Sequence, residues 1–313
     1  MRLRALRLTW ACLLGLHACG RPHVSGALPV GLPWTPFYWV RAVTDSARFD
    51  HAAMLFRLQV RPSGPPSIVQ LDLGGSGGMP DGFPLPARDF GSVPPLRRGQ
   101  LYGLLGSEPR LELTGASGDS ALTRWRESDV GTVGLPNYIS QALILDFPNR
   151  RLASIPPPQS LEALLGPGVI TIPLERGRFD RAVVHVSTGT GQVYQALLDT
   201  GLSPFSLWTT REIWERLTGR SGPGPGTHRY RINNRRGGVV FVGARPEQEL
   251  RIGAWRLEPK EVVYLERGPV GASIEEWQSG IQVVLGATSW ARRGVLLLDP
   301  AQHRVGIVAR LSP

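Results

Sequence analysis

Apolar residues fall in short runs along the chain, separated by glycine, proline and small polar residues, and helical periodicity is nowhere sustained beyond about a dozen residues. Gly 38 and Pro 28 supply the turns between these runs. The pattern predicts a mainly β chain with few short helices. The strongest helix signal is TREIWERLTG, where Thr209 reads as the N-cap, Glu212 completes a capping box and Gly219 is the stop.

Two breaks organise these elements. GRPHVSGALPVGLPWTP reads as an extended tether, with folded sequence starting near Phe37. A second break at SIPPPQSLEALLGPG splits the remainder into halves of similar length. The expected organisation is a signal over 1–19, a tether over 20–36, a first folded half over 37–155, a linker over 156–168 and a second folded half over 169–313.

The halves carry a faint repeat. FRLQVRPSGPPSIVQLDLGG parallels VVHVSTGTGQVYQALLDTGL, each a strand, a glycine-containing turn and a second strand ending Asp-x-Gly: Asp72-Leu73-Gly74 and Asp199-Thr200-Gly201. ALILDFPNRRLASI around Asp146 parallels VLLLDPAQHRVGIV around Asp299. Ahead of these stand Val133-Gly134 and Leu285-Gly286. Asp146 and Asp299 follow apolar strands and precede turn residues, which predicts turn-capping for both.

At 313 residues and 42% hydrophobic content, the chain can bury one large or two medium cores. The net charge of +10 comes almost wholly from arginine, Lys260 being the only lysine. The basic pairs are scattered and make no nucleic-acid footprint, although they suit anionic lipid headgroups or acidic envelope polymers. Cys12 and Cys19 are the only cysteines, and both lie in the first 19 residues, so no disulfide is expected in the mature domain. His23, His51, His185, His228 and His303 lack metal-ligand spacing, and no metal or cofactor site is expected.

The first residues, MRLRALRLTWACLLGLHACG, join a basic start to an apolar run too short to span a bilayer, which reads as an export signal. Its end, Leu16-His17-Ala18-Cys19, resembles the lipobox of bacterial lipoproteins, with His17 an unusual occupant. The resemblance implies a lipidated Cys19 and a bacterial envelope address: outer membrane favoured because Gly20 replaces a retention aspartate, or periplasmic if an ordinary signal is cut nearby.

The paired Asp-x-Gly loops, the later apolar-Gly pairs and the closing LLLDPAQHRVGIV resemble the pepsin and retropepsin superfamily of aspartic proteases. The likeness is fuller over 180–308 than over roughly 52–155. It implies a two-lobed acid-protease-like β-barrel fold and a catalytic dyad of Asp72 and Asp199, with Thr200, Gly201 and Gly74 bracing the loops. Two carboxyls about 3 Å apart share one proton, so one acts as base and the other as acid. The flap expected in the first lobe falls at Tyr102-Gly103.

The first loop departs from the superfamily at Leu73, where threonine or serine belongs. Gly75 and Leu202 also stand where a hydroxyl would follow, which implies activity at mildly acidic to neutral pH. The expected function is cleavage of peptides or proteins by a monomer. The alternatives are an inactive binder of extended peptides, and a homodimer using Asp199 of each chain. GGSGG matches a serine-hydrolase elbow formally, but MPDGFPLP cannot supply the helix that must follow.

Overall fold

The computed structural model describes residues 28–29, 31–43, 47–58, 67–74, 110–114, 130–177, 181–202, 204–234, 237–268, 280–290 and 294–309. The first half contributes β1 (Thr35–Val43), β2 (Arg48–Leu58), β3 (Ser67–Leu71), β4 (Arg110–Thr114), β5 (Val130–Val133), β6 (Ala142–Asp146) and β7 (Arg151–Ile155). The second opens with α1 (Leu161–Leu165), β8 (Ile170–Pro173), β9 (Glu175–Arg176), β10 (Ala182–Thr188), β11 (Val193–Asp199), β12 (Leu207–Thr209) and α2 (Arg211–Thr218). It continues through β13 (Thr227–Asn234), β14 (Gly237–Ala244), β15 (Leu250–Ile252), β16 (Trp255–Leu257), β17 (Val262–Arg267), β18 (Val283–Gly286), β19 (Gly294–Asp299) and β20 (Arg304–Ala309).

These strands form two sheets of ten. One runs β5-β3-β2-β1-β7-β6-β19-β20-β8 with β4 beside β1, and the other runs β13-β14-β17-β12-β18-β11-β10-β15-β16 with β9 beside β10. The fold is therefore mainly β and of the two-lobed acid-protease type. In the first lobe β3 pairs in parallel with β5, Leu71 opposite Val133. In the second, β11 pairs in parallel with β18, Asp199 opposite Gly286. Each aspartate thus leaves its strand beside a later apolar-Gly strand, and β12 closes the far side of β18.

The first sheet crosses the boundary between the halves. Strands β6 and β19, one from each, pair antiparallel around Ile144 opposite Leu297. Both continue into tight turns built alike. The buried Asp146 accepts from the Asn149 amide and from Arg151 Nε, and the buried Asp299 accepts from the Gln302 amide and from Arg304 Nε. These are the turn caps expected of the two acids. Arg150 and His303, at φ 51° and 52°, take the left-handed conformation each turn needs.

Three local details go beyond the sequence pattern. The tether is not free of the fold throughout, because Leu28 is buried and Leu32 and Trp34 pack beside it against Ile144, Leu297 and α1. Apolar side chains in a proline-rich stretch gain more from covering the sheet than from staying in water. Within the linker, Ser160 caps α1 by accepting from the Ala163 amide. The N-cap of α2 is Thr210, not Thr209: its hydroxyl accepts from the Ile213 amide, so the capping box with Glu212 is absent. Thr209 ends β12 instead and donates to the Gln282 carbonyl at 2.7 Å. Gly219 ends the helix at φ 66°, as expected.

Among the described residues no helix is long and apolar enough to cross a membrane. Cys19, the signal and the flap residues Tyr102 and Gly103 lie outside the described residues.

Candidate active site

The second aspartate loop is built by burial. Strand β11 alternates exposed and buried residues at its start and is buried continuously from Ala196 to Asp199, because its last residues lie between β10 and β18. The chain then turns sharply at Thr200-Gly201. Asp199 Oδ1 accepts the Gly201 amide at 2.7 Å and the Leu202 amide at 3.2 Å, which fixes the carboxyl at the head of the turn. Gly286 has no room for a side chain: a Cβ there would lie 2.0 Å from the Phe205 carbonyl oxygen and 2.4 Å from that of Leu202. The apolar-Gly pair after the loop is thus a space requirement.

The first loop is its counterpart. The Asp72 amide donates to the Val133 carbonyl at 2.9 Å, anchoring the loop to the end of β5.

The two loops meet with reciprocal contacts. A Cβ on Gly74 would lie 2.3 Å from Asp199 Cγ, and one on Gly201 would lie 2.6 Å from Asp72 Cγ. Real Cβ atoms do not approach other atoms so closely, so each loop needs glycine because the opposite carboxyl occupies that space. The structure therefore brings Asp72, Gly74, Asp199 and Gly201 together, although 127 residues separate each pair of equivalents.

Thr200 also lies at the junction. Its hydroxyl donates to the Leu71 carbonyl at 2.7 Å and accepts the Leu73 amide at 3.0 Å, so one side chain holds the backbone on both sides of Asp72. Leu73 cannot return this brace. Its side chain is fully buried in the main apolar core, which also holds Leu71, Val133 and Leu135.

Electrostatically the two acids differ. Asp199 is 5% exposed and Asp72 only partly buried. Burial first, and then the neighbouring Asp72 carboxyl with which it shares a hydrogen bond, holds Asp199 well above the ordinary carboxylate value; the Gly201 and Leu202 amides oppose that rise only in part. Two carboxyls so close cannot both ionise readily, and the pair keeps a proton to higher pH than an isolated aspartate.

Two supports carry no signal in the sequence. Ser206, buried beyond the Asp199 loop, receives the Gly286 amide and the Ser289 hydroxyl on its carbonyl and the Thr288 hydroxyl on its own. Tyr230 and Glu261 form a second polar contact near Phe205. Among the described residues no three His, Cys, Asp or Glu side chains are grouped to hold a metal ion.

No family model matches the chain, and no curated protein matches it. Among solved structures it is similar to basic 7S globulin from soybean, at 9% identity and a TM-score of 0.39, covering 90% of this chain and 96% of that one. It is similar to conglutin gamma from lupine seeds at 11% identity and a TM-score of 0.41, covering 88% and 95%. It is also similar to an aspartic proteinase from Irpex lacteus at 12% identity and a TM-score of 0.41, covering 88% and 96%.

Proposed function

We propose that the protein is an aspartic-type endopeptidase in which Asp72 and Asp199 of one chain activate a water molecule. The observation that carries this reading is the reciprocal packing of Gly74 on the Asp199 carboxyl and of Gly201 on the Asp72 carboxyl. Asp199, the more deeply buried acid, holds the shared proton. Asp72, the more accessible, takes a proton from water as its oxygen attacks the scissile carbonyl, while Asp199 protonates the carbonyl oxygen. As the tetrahedral intermediate collapses, Asp72 passes the proton it took from water to the leaving nitrogen, a hydroxyl of the intermediate returns a proton to Asp199, and the amine departs with the pair restored. The partner is a peptide or protein lying extended between the lobes.

The raised Asp199 carboxyl favours activity at mildly acidic to neutral pH, because the singly protonated pair persists above the ordinary carboxylate range. We further propose export to a bacterial envelope through the N-terminal signal, with Cys19 as the lipidated residue.

Leu73 favours a second reading, a binder of extended peptides that does not turn over, because the first loop lacks the hydroxyl of an active pair. Denatured casein distinguishes the two. Asp72→Asn and Asp199→Asn should each lower cleavage by about 10²–10⁴-fold while leaving the fold intact. Absence of cleavage by the wild-type chain between pH 3 and 8 would leave the binder.

A further inference from the structure

A partly buried polar pair in the second lobe has no part in the proposed chemistry. Glu261, just before β17, keeps only 16% of its side chain exposed, and its Oε1 accepts the Tyr230 hydroxyl at 2.6 Å. Its other oxygen fills the space over Gly243, where a Cβ would lie 2.4 Å from Oε2. Gly243 stands opposite His228 on one side and Val263 on the other, so the carboxyl lies against the face of the sheet. His228 Nδ1 approaches Oε2 to 3.7 Å, and Lys260 also acts on the carboxyl.

The Tyr230 ring sits where both lobes meet. It lies 5.3 Å from Phe205 and 5.7 Å from Phe49, which are themselves 5.6 Å apart edge to face. Phe49 belongs to β2 of the first lobe. Phe205 closes the Asp199 loop: its amide donates to the Leu202 carbonyl, whose residue in turn donates its amide to Asp199. Contacts therefore run from Glu261 through Tyr230 to the Asp199 loop on one side and to the lobe bearing Asp72 on the other.

We propose that Glu261 and Tyr230 are positioning residues that set the approach of the two aspartate loops by fixing the ring on which both lobes lean. The proposal rests on the dyad reading above. An apolar pair would fill the seam without the desolvation cost of a largely covered carboxyl. What the hydrogen bond adds is a single place for the ring, which an aromatic cluster held by dispersion alone does not specify.

The test is a carbon-13 titration of the aspartate carboxyls in the full chain, which needs no substrate. Wild type should titrate in two separated steps for Asp72 and Asp199. Tyr230→Phe, which keeps the ring, should narrow that separation by about one unit and lower casein cleavage about tenfold. Glu261→Gln keeps an acceptor and should preserve the separation, while Glu261→Leu should narrow it as Tyr230→Phe does. Wild-type separation in folded Tyr230→Phe, or in folded Glu261→Leu, overturns the proposal. A wild-type chain without two steps removes the dyad itself, a distinct failure.

Discussion

The Thr200 hydroxyl accepts the Leu73 amide at 3.0 Å across the junction of the two aspartate loops, and it also donates to the Leu71 carbonyl at 2.7 Å. Both bonds are buried, so removing the hydroxyl strands a donor and an acceptor in the core. Thr200→Val should cost about 2–4 kcal/mol in denaturant unfolding, and Thr200→Ser should recover most of it. Equal stability of the valine variant and wild type would show that the brace carries no weight.

Leu73 has a different expected response from that of a degraded threonine. Its side chain is wholly buried in the main core. A hydroxyl there would enter apolar surroundings and leave a void, so Leu73→Thr should destabilise by about 2–4 kcal/mol. A more stable Leu73→Thr chain would mean that a reciprocal brace forms despite the lost packing, and thermal unfolding of the single variant decides.

Much of the site is legible as one-dimensional pattern because its constraints are local and steric. Asp199-Thr200-Gly201 and Leu285-Gly286 stand out since only glycine fits against a carboxyl or a carbonyl, and the capping roles of Asp146 and Asp299 follow from apolar strands running into turns. What is not legible depends on distant pairing. Nothing in ALILD says that it will join VLLLD of the other half in one sheet, and nothing marks Tyr230 and Glu261 as partners. The helix starts one residue later than the pattern predicts because two threonines stand together, and strand pairing claims the first: Thr209 pairs with both β17 and β18. Leu28, Leu32 and Trp34 carry no signal in their proline-rich setting, which reads as a spacer until the apolar face it covers is known.

The glycines offer a test that does not touch the acids. A methyl on Gly74 must push against Asp199, and one on Gly201 against Asp72. Because each clash involves a carboxyl held by its own loop, the loops should separate, and Gly74→Ala or Gly201→Ala should lower peptide cleavage by about 10²-fold or more. Carbon-13 titration should show Asp199 falling toward the ordinary carboxylate range as its neighbour retreats. Alanine variants that keep both the wild-type titration and the rate would place the two carboxyls further apart than the contacts imply.

The raised Asp199 carboxyl also has a sign in stability. An acid that holds its proton more tightly when folded than when unfolded contributes no pH dependence below its ordinary value of 3.8. Above it, the unfolded chain releases a proton that the folded chain retains. Unfolding is then favoured progressively as pH rises, until the folded pair also ionises. Asp199→Asn removes this linkage, and its side-chain oxygen can still accept from the Gly201 and Leu202 amides. The variant should match wild type in melting temperature near pH 3 and exceed it at pH 7, with the gap opening as pH climbs. Because proteins usually lose stability on removal of a buried polar group, a variant less stable than wild type at neutral pH would point to a carboxylate already ionised and well solvated, and with it to two acids that do not share a proton.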